Sequence, residues 1–229
     1  MDELLANASF KSGNYSKALV DTFLKMDDML RTPEGKKELS AIQSGQGKSG
    51  GFGSAEGESF AGCTAVVALM VKDKLYVANA GDSRCMIVSK GDVVPLTEDH
   101  KPDNKPEKDR IEKAGGEVYE GRINGRLNLS RAIGDLEFKD NTQLQAHEQL
   151  VIALPEVKVW NLSGDDEYIV LGCDGIWECL PAKQIYEFFH TKVKNGKSLK
   201  LSVEELLDYM VATDTQSKSN YNLYEKRVI

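Results

Sequence analysis

Residues 168–178 read Tyr-Ile-Val-Leu-Gly-Cys-Asp-Gly-Ile-Trp-Glu. Tyr168 to Leu171 have high β propensity and run into Gly172-Cys173-Asp174-Gly175, which predicts a strand that delivers a carboxylate, Asp174, to its end. The glycine after it lets backbone approach closely, and carboxylates so placed are common where oxygen ligands hold a cation. An Asp after a strand can also simply form a turn. Leu75 to Asp82 repeats the arrangement, with a strand over Leu75-Tyr76-Val77-Ala78-Asn79, a break at Gly81 and a second carboxylate at Asp82. Two such strand ends in one sheet can converge on one cation, or two, and bridge to a phosphate. Asp174 and Asp82 are therefore the candidate metal ligands.

Short strands frame these two carboxylates. Cys63 to Val71 is almost continuously apolar and predicts a strand buried on both faces. Lys72-Asp73-Lys74 turns the chain into the Leu75 strand; Cys85 to Val88 runs out, and Lys90-Gly91-Asp92 turns it into Val93 to Leu96. Strands this close in sequence pair antiparallel. Val157 to Trp160 adds another. In Arg122 to Leu127, Asn124-Gly125 supplies the positive φ angles of a type I′ hairpin.

Helices lie before and after. Tyr15, Leu19, Phe23, Met26 and Leu30 recur at intervals of three or four, with Asn14 or Ser16 as the cap. Asp27 and Asp28 then fall on the polar side, as a solvated face. Thr32-Pro33-Glu34-Gly35 breaks the pattern. Ser44 to Gly57 reads as a flexible Gly/Ser loop; its Gly47-Lys48-Ser49 has Ile42 where a phosphate loop needs its first Gly. Pro106 to Ala114, ended by Gly115-Gly116, predicts a short helix. Asp140 to Gln149 reads as a polar surface loop. Pro181 opens a helix through Ile185, Phe188 and Phe189, and Ser202 with Glu205 reads as the capping box of a last one. Period is lost after Thr213. Helices, then strands, then helices point to an α+β protein with mainly antiparallel sheet rather than a doubly wound fold.

The 229 residues are 41% hydrophobic and 28% charged, an ordinary globular mix. Lys and Arg number 29 against 36 Asp and Glu, a net charge of −7. A phosphate backbone wants a basic face, so no nucleic-acid partner is expected. No apolar run approaches the ~20 residues that span a bilayer, so no membrane partner is expected either. The acidic start, Met-Asp-Glu-Leu-Leu, does not resemble a secretory signal. Cys63, Cys85, Cys173 and Cys179 form no C-x-x-C pair, and three lie in or beside apolar runs as small buried hydrophobes do. The expectation is a monomer in a reducing compartment, the cytoplasm or the nucleus.

Seven blocks together resemble the type 2C protein serine/threonine phosphatases. They are Gly62-Cys63-Thr64-Ala65; Asn79 to Arg84; Asp99-His100-Lys101-Pro102; Glu107 to Ile111 with Ala114-Gly115-Gly116; Ser130 to Asp135; Pro155-Glu156-Val157; and Cys173 to Glu178. They follow the family's order and approximate spacing over residues 4–213. The resemblance implies a four-layer α-β-β-α sandwich, two mainly antiparallel sheets with flanking helices, here incomplete at both ends. It implies hydrolysis of phosphoserine and phosphothreonine in protein substrates by a water activated by two Mg²⁺ or Mn²⁺ ions, with no phosphoenzyme. It matches Asp174 to a ligand of one core metal and Asp82 to a ligand of a third, weaker one. Residues from about 103 to 140 border the family's flap, and Ser130, Arg131 and Asp135 there are expected to be structural.

The departures bear on activity. The family's Asp-Gly-His-Gly-Gly, with its metal-bridging Asp and its His, does not occur in this sequence. Its final Asp-Asn motif is also absent; beyond Asp214-Thr215 the tail 216–229 holds no Asp, and Asn220 and Asn222 are weaker ligands. One expectation is a fragment, a single partial domain over 1–215 with impaired activity and doubtful metal binding. The alternative is a catalytically dead family member acting as a regulatory or binding module. A cysteine-nucleophile phosphatase is excluded, because the residues six beyond the cysteines are Leu69, Gly91, Cys179 and Ile185 rather than Arg. Ser-His-Asp hydrolysis finds no Gly-x-Ser-x-Gly and only His100, His147 and His190; His100 reads as a turn or packing residue.

Overall fold

The computed structural model describes residues 1–45 and 61–211. Helices open the chain: α1 (Asp2–Ala6), α2 (Ala8–Lys11), α3 (Tyr15–Met29) and α4 (Pro33–Gly45). Strands follow as β1 (Gly62–Cys63), β2 (Ala65–Val71), β3 (Lys74–Ala80), β4 (Arg84–Ser89) and β5 (Asp92–Pro95). After α5 (Lys105–Lys113) come β6 (Val118–Tyr119), β7 (Arg122–Ile123) and β8 (Ile133–Gly134). The longer β9 (Glu156–Asn161) and β10 (Asp166–Gly172) precede α6 (Asp174–Cys179), α7 (Ala182–Lys194) and α8 (Leu199–Met210). Every pairing between these strands is antiparallel, so the class is α+β as the sequence implies.

Two compact units divide the chain: Met1–Ser83 with Leu96–Ser163, and Arg84–Pro95 with Gly164–Ile229. In the first, β3 is the middle strand of the sheet β2-β3-β9. The Asn14 side chain caps α3 by accepting from the Lys17 amide at 3.2 Å. Leu19 and Phe23, four apart, fall on one face of α3 and are buried with Ala78 and Ala80 of β3. Burying each such side chain contributes about 2–3 kcal/mol. In the second unit, β4 is the middle strand of β10-β4-β5. Met86 is buried there with Trp177, Ile185, Phe189 and Leu206, which ties β4 to α6, α7 and α8.

Several sequence expectations are corrected. The strands from Cys63 to Leu96 do not all pair with their neighbours in sequence; β3 and β4 lie in different sheets, and the chain changes sheet at Gly81-Asp82. Asp82 and Asp174 therefore follow strands of different sheets, not of one. The apolar run from Cys63 breaks at Thr64, and β2 is only half-buried. Its Ala65, Val67 and Leu69 pack on the α3 core, while Met70 on the alternate face is exposed. Pro33 does not end helix but opens α4, a first-turn position where its missing N–H costs nothing. The two-residue hairpin lies at Glu120-Gly121, between β6 and β7, both with positive φ. Asn124 and Gly125 do take positive φ, but close only an isolated Ile123–Leu127 bridge. The cap of α8 is Ser198, whose hydroxyl accepts from the Leu201 amide; Ser202 is buried inside the helix, and Glu205 pairs with Lys192 and Lys197. Of the cysteines only Cys85 is buried, Cys63 and Cys173 being exposed. Gly47-Lys48-Ser49, most of the Gly/Ser loop and the tail from 212 lie outside the described residues.

Candidate functional site

Asp82 sits on a turn built by two of the sequence blocks. Gly81 has φ +120°, and a Cβ there would meet Thr64 Cγ2 at 2.4 Å, so the chain turns only with Gly. The Gly81 carbonyl accepts from the His100 amide at 3.0 Å and from Asn79 Nδ2 at 3.1 Å. The Gly81 amide donates to His100 Nδ1 at 3.1 Å, which needs a neutral ring. Burial holds the His100 pKa below its ordinary value, and the nearby Arg131 charge adds to this. Thr64 and Ser83 share a hydroxyl hydrogen bond of 2.9 Å. So pinned, the Asp82 carboxylate is buried, and Lys101 Nζ donates to its Oδ2. The packing role expected of His100 is thus observed, and the Asp99–Pro102 block meets the Asn79–Arg84 block through it.

Behind this turn lies a charged node around Glu107 on α5. Arg131 Nη2 donates to Glu107 Oε1 at 2.6 Å, Arg110 Nη1 to Oε2 at 2.6 Å, and Ser130 Oγ to Oε2 at 2.7 Å. The guanidinium groups also donate to backbone carbonyls, Arg131 to Leu154 and Arg110 to Gln149 and Ser130. Burial by itself would push the Glu107 carboxyl up; the Arg131 hydrogen bonds and the two Arg charges outweigh it and hold the pKa at about 2. Ser130 and Arg131 thus pair a carboxylate. Asp135, at φ +48°, lies against Gly62, where a Cβ would meet Asp135 Oδ2 at 2.0 Å; burial raises its carboxyl pKa.

Asp27 corrects the expectation of a solvated face. Its carboxylate is buried and accepts from the Gly134 amide at 2.7 Å and from Lys139 Nζ at 2.6 Å. Lys139 also donates to the Ala132 carbonyl at 2.7 Å, and burial lowers its pKa against the pull of Asp27. The signal was present in the sequence: Asp27 continues the Leu19, Phe23 row at the same spacing of four.

In the second unit β10 ends at Gly172, and Trp177 Nε1 donates back to the Gly172 carbonyl at 2.7 Å, fixing the strand-to-helix turn. Asp174 is the first residue of the six-residue α6, exposed, its Oδ1 accepting from the Gly175 amide at 2.8 Å. The strand-end placement is as expected; that a helix begins there is new.

Among the described residues no group of three or more His, Cys, Asp or Glu could hold a metal ion. Asp82 is already neutralised by Lys101, and Asp174 stands on an exposed turn. The described residues do not by themselves compose the family's two-metal centre.

The fold is that of a solved class of enzymes. The structure of a serine-threonine phosphatase 2C from Toxoplasma gondii is similar with a TM-score of 0.68, at 21% identity, over 91% of this chain and 72% of that one. A second Toxoplasma gondii phosphatase has a TM-score of 0.57 and 34% identity over 60% of this chain, of which this chain covers 43%, less than half its length. The sequence profile described as Protein phosphatase 2C matches residues 2–219. A probable protein phosphatase 2C 6 of Paramecium tetraurelia is 46% identical over 214 residues, 93% of this chain and 70% of that protein. The chain belongs to the protein phosphatase 2C family.

Proposed function

We propose that this chain is a protein serine/threonine phosphatase of the kind that hydrolyses phosphoserine and phosphothreonine in protein substrates, with residues 1–215 as a single partial phosphatase domain whose own activity is impaired because core metal ligands are missing. The observation that supports this best is the 46% identity over 93% of the chain to the Paramecium relative. The family depends on Mg²⁺ or Mn²⁺, and we assign Asp174 and Asp82 as carboxylates this chain brings to cation binding. What the chain's own residues do is positional: His100 and Asn79 pin the Asp82 turn, Trp177 pins the Asp174 turn, and Glu107 locks α5 to Ser130 and Arg131. A monomer in the cytoplasm or the nucleus, without nucleic acid or membrane, belongs to the same proposal.

The test is Mn²⁺-dependent release of phosphate from a phosphothreonine peptide. The 229-residue chain is compared with a fusion carrying family segments that supply both missing motifs, Asp-Gly-His-Gly-Gly ahead of Met1 and Asp-Asn in place of the tail 216–229, and with the D174N form of that fusion. The expected order is a silent or weak chain, an active fusion and a fusion silenced by D174N. Silence in chain and fusion alike points to the dead-module alternative, and an active fusion indifferent to D174N removes Asp174 from the site.

A further inference from the structure

Asn79, near the end of β3, and Glu156, the first residue of β9, are direct cross-strand partners, so their side chains share one face of the sheet. Asn79 is 1% exposed, and its Nδ2 donates to the Gly81 carbonyl at 3.1 Å and to the Glu98 carbonyl at 3.2 Å. Two acceptors on one side identify the amide nitrogen and leave Oδ1 on the other, buried and without a hydrogen-bond partner. Asn79, Glu98 and Glu156 line one cleft of about 290 Å³, together with apolar Leu96 and Val157 and with Lys158. His100 accepts the Gly81 amide at Nδ1, so its Nε2 carries the ring proton. That nitrogen is also buried without a hydrogen-bond partner, and it faces Glu156 Oε2 at 3.6 Å. A neutral ring steers the Glu156 carboxylate without cancelling its charge. Among the described residues neither Glu98 nor Glu156 forms an ion pair with a lysine or arginine, and the Glu156 side chain is 61% exposed.

We infer that this cleft receives the guanidinium group of an arginine on a protein partner, its planar fork donating to Asn79 Oδ1 and to the Glu98 and Glu156 carboxylates while its stem lies on Leu96 and Val157. Acceptors from three separate segments around one small cleft call for a group with several donors and no acceptor, which describes the arginine and lysine side chains. Lysine presents its donors from one point, whereas arginine spreads five over a plane and matches acceptors that lie apart. A metal ion does not suit the lining, since no group of three or more His, Cys, Asp or Glu could hold one among the described residues. The net charge of −7 favours approach of a basic partner. The site lies beyond the phosphatase proposal, and gives the Pro155-Glu156-Val157 block a role that the two turns at Asp82 and Asp174 do not.

The experiment titrates the nitrogen-15-labelled 229-residue chain with a blocked pentapeptide of arginine between glycine pairs, and with versions carrying lysine or citrulline, the neutral isostere of arginine, at the centre. The side-chain amide resonance of Asn79 and the backbone amides of Glu98 and Glu156 are followed. The arginine peptide is expected to saturate these shifts with a Kd of about 1 mM. The lysine peptide should bind about threefold more weakly and the citrulline peptide at least about tenfold more weakly. E98Q and E156Q, which keep the shape of exposed side chains, should each weaken the arginine peptide about threefold and together about tenfold, while K158M strengthens it. If the arginine peptide leaves the Asn79 resonance unmoved, the cleft holds water only and the arginine site is refuted. Equal binding of the citrulline peptide, or wild-type affinity in E98Q/E156Q, refutes it as well, and equal binding of the lysine peptide overturns the choice of arginine. None of these readouts involves phosphate release, so the phosphatase proposal stands or falls separately.

Discussion

Replacing Glu107 by Gln keeps the shape of the side chain but removes the charge that two half-buried arginines share. The carboxyl pKa of Glu107 is lowered from 4.5 to about 2 in the folded chain. The folded pKa is depressed, so the stability it contributes is present above the unfolded value of 4.5 and is lost as pH falls through about 2. A difference of this size is worth roughly 3 kcal/mol at pH 7. By the same linkage it has fallen to roughly 1 kcal/mol at pH 3, where the unfolded carboxyl is protonated but most of the folded one is not. Glu107 is 3% exposed, so solvent screening takes little from this figure. The measurement is urea unfolding of wild type and E107Q at pH 7 and at pH 3, with the other carboxylates cancelling in the difference. The expected gap is about 3 kcal/mol at pH 7, narrowing by more than half at pH 3. A gap below about 1 kcal/mol at pH 7, or one that does not change with pH, would refute the claim that the Arg110 and Arg131 charges hold this carboxylate.

Two further predictions concern buried pairs and thiols. D27A should destabilise the first unit by about 3–5 kcal/mol by leaving Lys139 buried and unpaired, and D27A/K139M should recover part of it, a double-mutant coupling above about 1 kcal/mol in thermal melts. Additive single effects would mean that the 2.6 Å contact carries no energy. Alkylation with a maleimide, read by mass spectrometry, should label exposed Cys63 and Cys173 in the native chain and Cys85 only on unfolding, since burial shields that thiol and pushes its pKa up to about 11. Early labelling of Cys85 would show that the β10-β4-β5 sheet opens.

Elements whose signal is local were legible. The α3 stripe, the cap at Asn14, α5 ending at Gly115, the strands at β3, β9 and β10, and α7 after Pro181 all follow from spacing and turn chemistry within a few residues. Asp174 at the end of β10 was legible for the same reason. The failures were of two kinds. Ser202 with Glu205 fits the Ser-x-x-Glu pattern of a capping box, but Ser198 one turn earlier fills that role, and Glu205 pairs with Lys192 and Lys197. The charge of Asp27 points to water, whereas its spacing of four from buried Phe23 puts it on the inner face.

The sequence by itself determined the family, through seven blocks in order, and with it the α+β class and the identity of the two candidate carboxylates. Only the tertiary structure decided what each carboxylate touches. Asp82 meets Lys101 across 19 positions, Glu107 meets Arg131 across 24, and Asp27 meets Lys139 across 112. It also decided that β3 and β4, three residues apart in the chain, join different sheets. Spacing and propensity act within a turn or two of chain. Which cation satisfies a buried anion is settled by which distant segments pack beside it, where an unpaired charge costs too much to leave unmet.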